Sequence, residues 1–137
     1  MAFARVFIAA FIVFWIDRLS KIWIVEWMDL RSRVSVDVYP PFFNLRMAWN
    51  RGINFGLFGG DAETTRYILS TAAILIVCAL LVWVRRQRGA VVPVSVGLII
   101  GGAVGNVLDR INYGAVADFI NVSCCGINNP YSFNPAD

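Results

Sequence analysis

Long uncharged apolar runs constrain this chain more than any other feature of its sequence. The run Tyr67–Val84 carries no charge and is long enough to cross a bilayer as a helix. Similar runs cover about 90–108 and about 4–25. Only 15% of the 137 residues are charged, against roughly a quarter in soluble domains. We therefore expect a single membrane-embedded domain over 1–137, mainly α-helical, with three spans.

The first run differs from the others because charged residues interrupt its last third. Asp17 and Lys21 are four residues apart, so on a helix they share a face and can pair toward the protein. In the alternative interpretation, both side chains extend to the interface, where tryptophans would flank them. No small-x-small cleavage site follows this run, which favours a retained helix over a cleaved leader.

Charge indicates how the spans are oriented. The short turn between the second and third spans contains Arg85, Arg86 and Arg88, and clustered arginines mark the cytoplasmic side. The connection 28–65 and the residues after about 109 would then lie outside. This use of basic residues accounts for the net charge of +3, so we expect no nucleic-acid partner.

The outer connection has the pattern of a small sheet. Arg33–Tyr39 alternates polar and apolar residues, and Phe42–Trp49 resembles a second strand after the break at Pro40-Pro41. A loop over 50–60 combines glycines with aromatic residues. We expect a small outer sheet that rests on the membrane surface, and a loop that can bend sharply and still lie against lipid or a greasy ligand.

The third span contains a glycine track and one amide. Gly97, Gly101 and Gly105 recur every four residues and predict close packing against another helix. Asn106 lies one turn before the apolar run ends. Because an unbonded amide is costly there, we expect Asn106 to orient Asp109 or another polar partner.

The composition excludes several kinds of active site. The chain has no histidine, which removes Ser-His-Asp and Cys-His sites and the commonest metal ligand. Three cysteines are too few for a disulfide framework. We expect Cys78 to pack within a span, and the adjacent Cys124 and Cys125 not to bridge, since neighbours seldom satisfy disulfide geometry. No metal and no cofactor are predicted.

Four acids, in contrast, are expected near the outer membrane surface: Asp17, Asp109, Asp118 and Asp137. The simplest hydrolytic chemistry left is a pair of aspartates that share one proton. The ionised member would take a proton from water while the protonated member polarises the scissile carbonyl. Spacing does not identify the pair. At Asp109 we expect a structural salt bridge with the adjacent Arg110.

Five ordered motifs run from the first helix to the last residue. They are Asp17-x-x-x-Lys21, Asn50-x-Gly52-x-x-Phe55, Gly105-Asn106-x-x-Asp109-Arg110, Val116-x-Asp118-Phe119 and Phe133-Asn134-x-Ala136-Asp137. Together they resemble lipoprotein signal peptidase, or signal peptidase II. The resemblance implies an aspartic endopeptidase of the bacterial inner membrane, with its active site on the periplasmic side. It would remove signal peptides from diacylglyceryl-modified prolipoproteins by cutting before the lipidated cysteine.

The resemblance also implies roles for single residues. The catalytic aspartates fall on Asp118 and Asp137, and Asp17 and Lys21 match a motif taken as structural. The supporting and substrate-binding positions are Asn50, Gly52, Asn106, Asp109, Arg110 and Asn134. The implied partners are a diacylglyceryl-modified prolipoprotein and membrane lipids, with the enzyme acting as a monomer.

Two departures from the family pattern keep alternatives open. Asn54 stands where many members carry a small apolar residue, and the family continues into a fourth span after the position of Asp137. One alternative is therefore a truncated, inactive member that binds lipidated peptides without cleaving them. Another is a non-enzymatic membrane protein such as a small transporter subunit, which would need acids at mid-bilayer depth. A third alternative is a metal-dependent hydrolase, which a lack of response to chelators would set aside.

Overall fold

The computed structural model describes residues 2–52 and 62–137, in which helices and one small sheet follow each other along the chain. The elements are α1 (Ala2–Lys21), a π-helical segment (Ile22–Trp27), α2 (Leu30–Arg33), β1 (Ser35–Tyr39), β2 (Phe43–Asn50), α3 (Ala62–Val84), α4 (Val91–Tyr113) and β3 (Val116–Val122). Most of the loop predicted over 50–60 lies outside the described residues.

Two of the described helices, α3 and α4, are long and apolar enough to cross a membrane. Hydrophobic side chains on α3, such as Leu75 and Ile76, are exposed, as expected for a surface that meets lipid. The helix α4 extends beyond the predicted end at 108. It ends at Tyr113, and the following Gly114 has a left-handed φ of 76° and donates its N–H to the Arg110 carbonyl, which closes the last turn.

The helices α1 and α4 pack closely along the glycine track, as the sequence predicts. A Cβ atom added at Gly97 would lie 2.5 Å from the Val6 carbonyl oxygen and 2.7 Å from the Ala9 Cβ. At Gly101, an added Cβ would lie 2.5 Å from the Ala10 carbonyl oxygen. The absence of side chains at these positions is therefore what allows the two backbones to approach.

The sheet has the order β1-β2-β3 with both pairs antiparallel. The strands predicted over 33–39 and 42–49 are confirmed as β1 and β2, although the first begins later because Val34 has a φ of 65°. The extended piece predicted over 116–122 is β3, and it pairs with β2. A small core packs around the sheet and the segment before it: Val25, Leu30, Leu45, Ala117 and Phe119.

The cysteines depart from expectation in two ways. Cys124 and Cys125 form a disulfide in the turn after β3. The prediction that they remain separate is wrong because Cys125 takes a left-handed backbone conformation, with a φ of 59°, which brings the neighbouring side chains together. Cys78, expected to pack, is exposed on α3.

The glycine track yields a stability prediction. We expect Gly97→Ala to destabilise the chain by about 1–3 kcal/mol, because the added methyl group meets the backbone of α1 and must push the helices apart. Val94→Ile adds a carbon atom on a more exposed part of α4 and serves as the control. Thermal unfolding in detergent micelles measures both. Equal melting temperatures would contradict the packing described for Gly97.

Candidate active site

The strand β3 presents the Asp118 carboxylate at the edge of the helical core. Asp118 lies opposite Ala48 on β2, and only 4% of its surface is exposed. Its two oxygens accept hydrogen bonds from two different carboxamides. The Asn50 Nδ2 atom donates to Oδ2 at 3.0 Å, and the Asn134 Nδ2 atom donates to Oδ1. Each oxygen of this buried acid therefore has a partner.

A tight turn orients the carboxamide of Asn50. The Gly52 N–H donates to the Asn50 Oδ1 atom at 2.9 Å, which leaves the Nδ2 group directed at Asp118. Gly52 has a φ of +96°, and a side chain at this position would collide with Leu69 on α3. The positive φ is what favours glycine here, since the Leu69 methyl group lies at the end of a flexible side chain and can move, so the motif Asn50-x-Gly52 is one structural unit.

The last residues of the chain bring the second carboxylate to the same place. The backbone N–H of Asn134 donates to the Asp137 Oδ2 atom at 3.2 Å, and the Asn106 Nδ2 atom donates to Oδ1 at 3.3 Å. The Asn134 side chain, which bonds Asp118, also accepts from the Ala136 N–H at 2.8 Å. Asn134 therefore contacts both carboxylates. It is buried, with 2% of its surface exposed, whereas Asp137 is exposed.

The two carboxylates differ in their surroundings. Burial raises the pKa of Asp118 above its usual range; hydrogen bonds from Asn134 and Asn50 lower it in part, and the charge of Asp137 raises it. The native chain therefore holds a proton that the unfolded chain releases between the ordinary and the raised pKa. In that window, this group makes the free energy of unfolding fall as pH rises.

A buried network of charges supports the site from the helices. The Lys21 Nζ atom lies 2.7 Å from both an Asp17 oxygen and an Asp109 oxygen, and an Arg18 Nη2 atom lies 2.8 Å from Asp109. Lys21 is 1% exposed and both acids are fully buried. The Asp17 and Lys21 pair is thus turned toward the protein, and the alternative in which both extend to the interface is wrong.

The expected salt bridge between Asp109 and Arg110 is not formed. Adjacent residues on a helix point about 100° apart, so Asp109 turns toward α1 while the Arg110 Nη1 atom donates to the Asn106 carbonyl at 3.4 Å. Asp109 also accepts the Ala117 N–H at 3.2 Å and so connects α4 to the start of β3. Arg110 remains close enough to interact electrostatically with both Asp118 and Asp137.

Asn106 contacts the Asp137 carboxylate. The sequence predicted that this amide orients either Asp109 or another polar partner, and the second of these alternatives is the one observed. Its Oδ1 atom accepts from the Asn134 Nδ2 atom at 3.4 Å and from the Lys21 Nζ atom at 3.5 Å, and its Nδ2 group bonds Asp137. Asn106 therefore connects the charge network to the carboxylates. Gly105 beside it leaves room for Asp17, whose Oδ2 atom would lie 2.6 Å from an added Cβ.

The structure brings the residues singled out by sequence into one continuous set of contacts. The set contains Asp17, Lys21, Asn50, Gly52, Asn106, Asp109, Arg110, Asn134, Asp118 and Asp137. Sequence reasoning missed Arg18, which pairs with Asp109 across the helix interface. The only signal for it was a further charge directly after Asp17 in an apolar run.

The described part of the chain thus combines two helices apolar enough to cross a membrane, a small antiparallel sheet and two amide-bonded carboxylates, which fits a membrane enzyme. Two solved bacterial membrane enzymes, determined in meso at 2.3 Å and 1.9 Å resolution, share the fold with TM-scores of 0.76 and 0.78. They are 28% and 27% identical to this chain. Each comparison covers 96% of this chain, and 77% and 81% of the respective solved chains.

Sequence comparison identifies the family. The profile of signal peptidase (SPase) II matches residues 9–137. A lipoprotein signal peptidase of Rhodopseudomonas palustris is 37% identical over 133 residues, which cover 95% of this chain and 80% of the relative. A lipoprotein signal peptidase of Methylobacterium is 41% identical over 122 residues, which cover 89% of this chain and 73% of that relative. The chain belongs to the signal peptidase II family, which confirms the predicted resemblance and favours a peptidase over the inactive alternative.

The Asn50 contact predicts a change in the titration of Asp118. We expect Asn50→Leu to raise the pKa of Asp118 further, because the lost Nδ2 donor stabilises the charged carboxylate. The carbon-13 shift of the Asp118 carboxyl group, followed against pH in micelles, measures this. Asn112→Leu, which removes an exposed carboxamide from α4, is the control. An unchanged or lowered pKa in Asn50→Leu would contradict the assigned contact.

The charge network predicts a large stability difference between two cation removals. Lys21→Met leaves Asp17 and Asp109 buried beside each other with one cation fewer, at a cost of about 3–5 kcal/mol. Arg66→Met removes the cation of a partly exposed pair with Glu63 and should cost at most about 1 kcal/mol. Unfolding in mixed micelles compares them. A Lys21 variant as stable as the Arg66 variant would show that the network contributes little.

Proposed function

We propose that Asp118 and Asp137 are the catalytic pair of this signal peptidase II family member. The observation that carries the proposal is their common partner, since Asn134 bonds Asp118 through its side chain and Asp137 through its backbone N–H. The charge of Asp137 also raises the pKa of Asp118, so the two carboxylates interact, and a neighbouring pair of this kind can share one proton. Among the described residues, Asp17 and Asp109 also share a partner, Lys21, but both of these acids are buried, whereas Asp137 is exposed.

The proposed reaction is hydrolysis of a peptide bond by water. The ionised carboxylate takes a proton from a water molecule while the oxygen of that water attacks the scissile carbonyl carbon. The protonated carboxylate donates to the carbonyl oxygen, so no net charge accumulates on the intermediate. On collapse of the intermediate, the carboxyl group that took the proton from water gives it to the leaving nitrogen, the carbon–nitrogen bond breaks, and the other carboxylate takes back a hydroxyl proton, which restores the pair. Arg110 lies near both acids and stabilises the ionised form of the pair.

The supporting amides hold this geometry before the substrate arrives. Asn50 and Asn134 together fix both oxygens of Asp118, and Asn106 fixes one oxygen of Asp137. A preorganised arrangement of this kind needs little rearrangement as charge moves in the transition state. The roles proposed for Asn50, Gly52, Asn106 and Asn134 are therefore positional. Asp17, Lys21 and Asp109 act one layer further from the reacting atoms.

The helices support a placement of the pair on the extracytoplasmic side of a bacterial inner membrane. The helix α4 has 23 residues and is about 35 Å long, so its two ends lie on opposite sides of a bilayer. Its first end follows the turn with Arg85, Arg86 and Arg88, and its last end carries Asp109. Basic turns stay in the cytoplasm, so the carboxylates would face the opposite side.

The helix α1 is proposed as a third span on the same argument. Arg5, near its start, donates to the Gly89 carbonyl in the basic turn, and Asp17, near its end, packs against Gly105 on α4. The two helices thus run parallel over the same depth. Charged residues near the outer end are tolerated because Asp17 and Lys21 pair inside the protein.

The proposed substrate is a prolipoprotein that carries a diacylglyceryl group on the cysteine after the cleavage site. The support is the family membership together with the position of the pair between a sheet and lipid-facing helices. A site at this boundary is reached by water and by acyl chains, and each methylene buried contributes about 0.8 kcal/mol to binding. Both carboxylates come from one chain, which supports a monomer as the active unit.

Replacement of either carboxylate tests the catalytic assignment. We expect Asp118→Asn and Asp137→Asn each to reduce kcat at least about 10³-fold, because an amide neither accepts a proton from water nor donates one as an acid. The assay follows loss of the signal peptide from a diacylglyceryl-modified prolipoprotein, by mass shift, with purified chain in detergent.

Asp37→Asn is the matched control for this experiment. It makes the same chemical change at an exposed position on β1. We expect cleavage by this variant at the rate of the unaltered chain. Retained cleavage in Asp118→Asn or in Asp137→Asn would refute the proposed pair.

A further inference from the structure

The segment 128–137 carries Asn134 and Asp137, and it reaches them without a helix or strand of its own. After β3, the chain reverses through the turn with Cys124 and returns along the same strand. Its path therefore depends on individual hydrogen bonds. The position of Asp137 relative to Asp118 depends on that path, since Asp118 is part of β3 itself.

One buried side chain makes two of these bonds. Asn121 on β3 is 1% exposed, and its Nδ2 group donates to the Asn129 carbonyl at 2.9 Å and to the Tyr131 carbonyl at 2.8 Å. Both hydrogens of the carboxamide are thus used, and both acceptors belong to the returning segment. Because the acceptors are two residues apart, they fix the direction of the segment as well as its distance from β3.

Neighbouring contacts continue the alignment toward the active site. Phe133 pairs with Ile120 through two backbone hydrogen bonds, of 3.0 and 2.8 Å. The next residue along is Asn134, which contacts both carboxylates. The Ser123 Oγ atom also accepts the Asn129 N–H at 3.1 Å. Asn121 therefore lies at the buried centre of the contacts that place Asn134 beside Asp118.

We infer that Asn121 is a positioning residue for the catalytic pair, which acts by holding the returning segment so that Asn134 and Asp137 meet Asp118. This inference rests on the proposed catalytic role of Asp118 and Asp137. Asn121 does not touch either carboxylate in the described contacts, so its effect is on their separation and alignment. Small misplacements of this kind reduce the chemical step far more than they reduce substrate binding.

The test compares Asn121→Ala with Asn44→Ala in the full chain. Asn44 is a buried carboxamide that lies directly opposite Asn121 on β2, so both variants remove the same group from the same part of the sheet. For Asn121→Ala we expect kcat to fall about 10–100-fold with KM changed by less than about twofold. For Asn44→Ala we expect kcat to change by less than about threefold.

Hydrogen exchange provides a readout that does not depend on activity. In Asn121→Ala we expect faster exchange of the amides in 128–137, with unchanged exchange in β2. Asn129→Ala perturbs the same segment from outside the sheet, because it removes a bond from the Asn129 Nδ2 group to the Val122 carbonyl at 3.2 Å. This variant should lower kcat in the same way, and it keeps the test valid if Asn121→Ala does not fold.

The outcomes separate the inference from the proposed function. If the unaltered chain cleaves the substrate and Asn121→Ala has an unchanged kcat, the positioning role alone is overturned. The same conclusion follows if Asn44→Ala loses as much kcat as Asn121→Ala does. If Asn121→Ala fails to fold, an unchanged kcat in Asn129→Ala overturns it. Absence of cleavage by the unaltered chain contradicts the proposed function and, with it, the positioning role. A selective loss of kcat with faster exchange in 128–137 supports both.

Discussion

The structure depends on the pairing of four charges in the interior, between α1 and α4. Asp17 and Asp109 carry two negative charges, and Lys21 and Arg18 carry two positive ones, so the network is neutral. An unpaired charge at this depth would cost several kcal/mol, which means that the two helices associate stably only when the partners meet. The close approach in turn requires Gly105, where a side chain would occupy the place of the Asp17 carboxylate.

The same network determines where the carboxylates of the site lie. Asp109 accepts the Ala117 N–H, one residue before Asp118, and so places the start of β3 against the end of α4. Lys21 contacts Asn106, which bonds Asp137. Each acid of the proposed pair is thus connected to the network by a different route. The charges that look merely structural in sequence are a physical support of the site, even though their described hydrogen bonds and ion pairs do not include Asp118 or Asp137.

Sequence predicts the local features of this chain well because they depend on nearby residues. The apolar runs, the alternation in β1 and the glycine spacing in α4 are each visible within one segment. Pairings between distant segments are not visible in this way. The sequence suggested a bridge from Asp109 to its neighbour Arg110, whereas its partners are Lys21 and Arg18 on α1, the latter 91 residues away. The roles of single site residues came from motif resemblance, and Asn121 belongs to none of those motifs.

The two acids of the proposed pair differ in their burial. Asp118 is fixed by a strand and two carboxamides in a setting that raises its pKa, so it does not depend on solvent for its alignment. Asp137, in contrast, is exposed. The proposed hydrolysis uses one protonated and one ionised carboxyl group, and burial raises the pKa of Asp118, which favours its protonated form. The carboxamide of Asn134 joins the two environments.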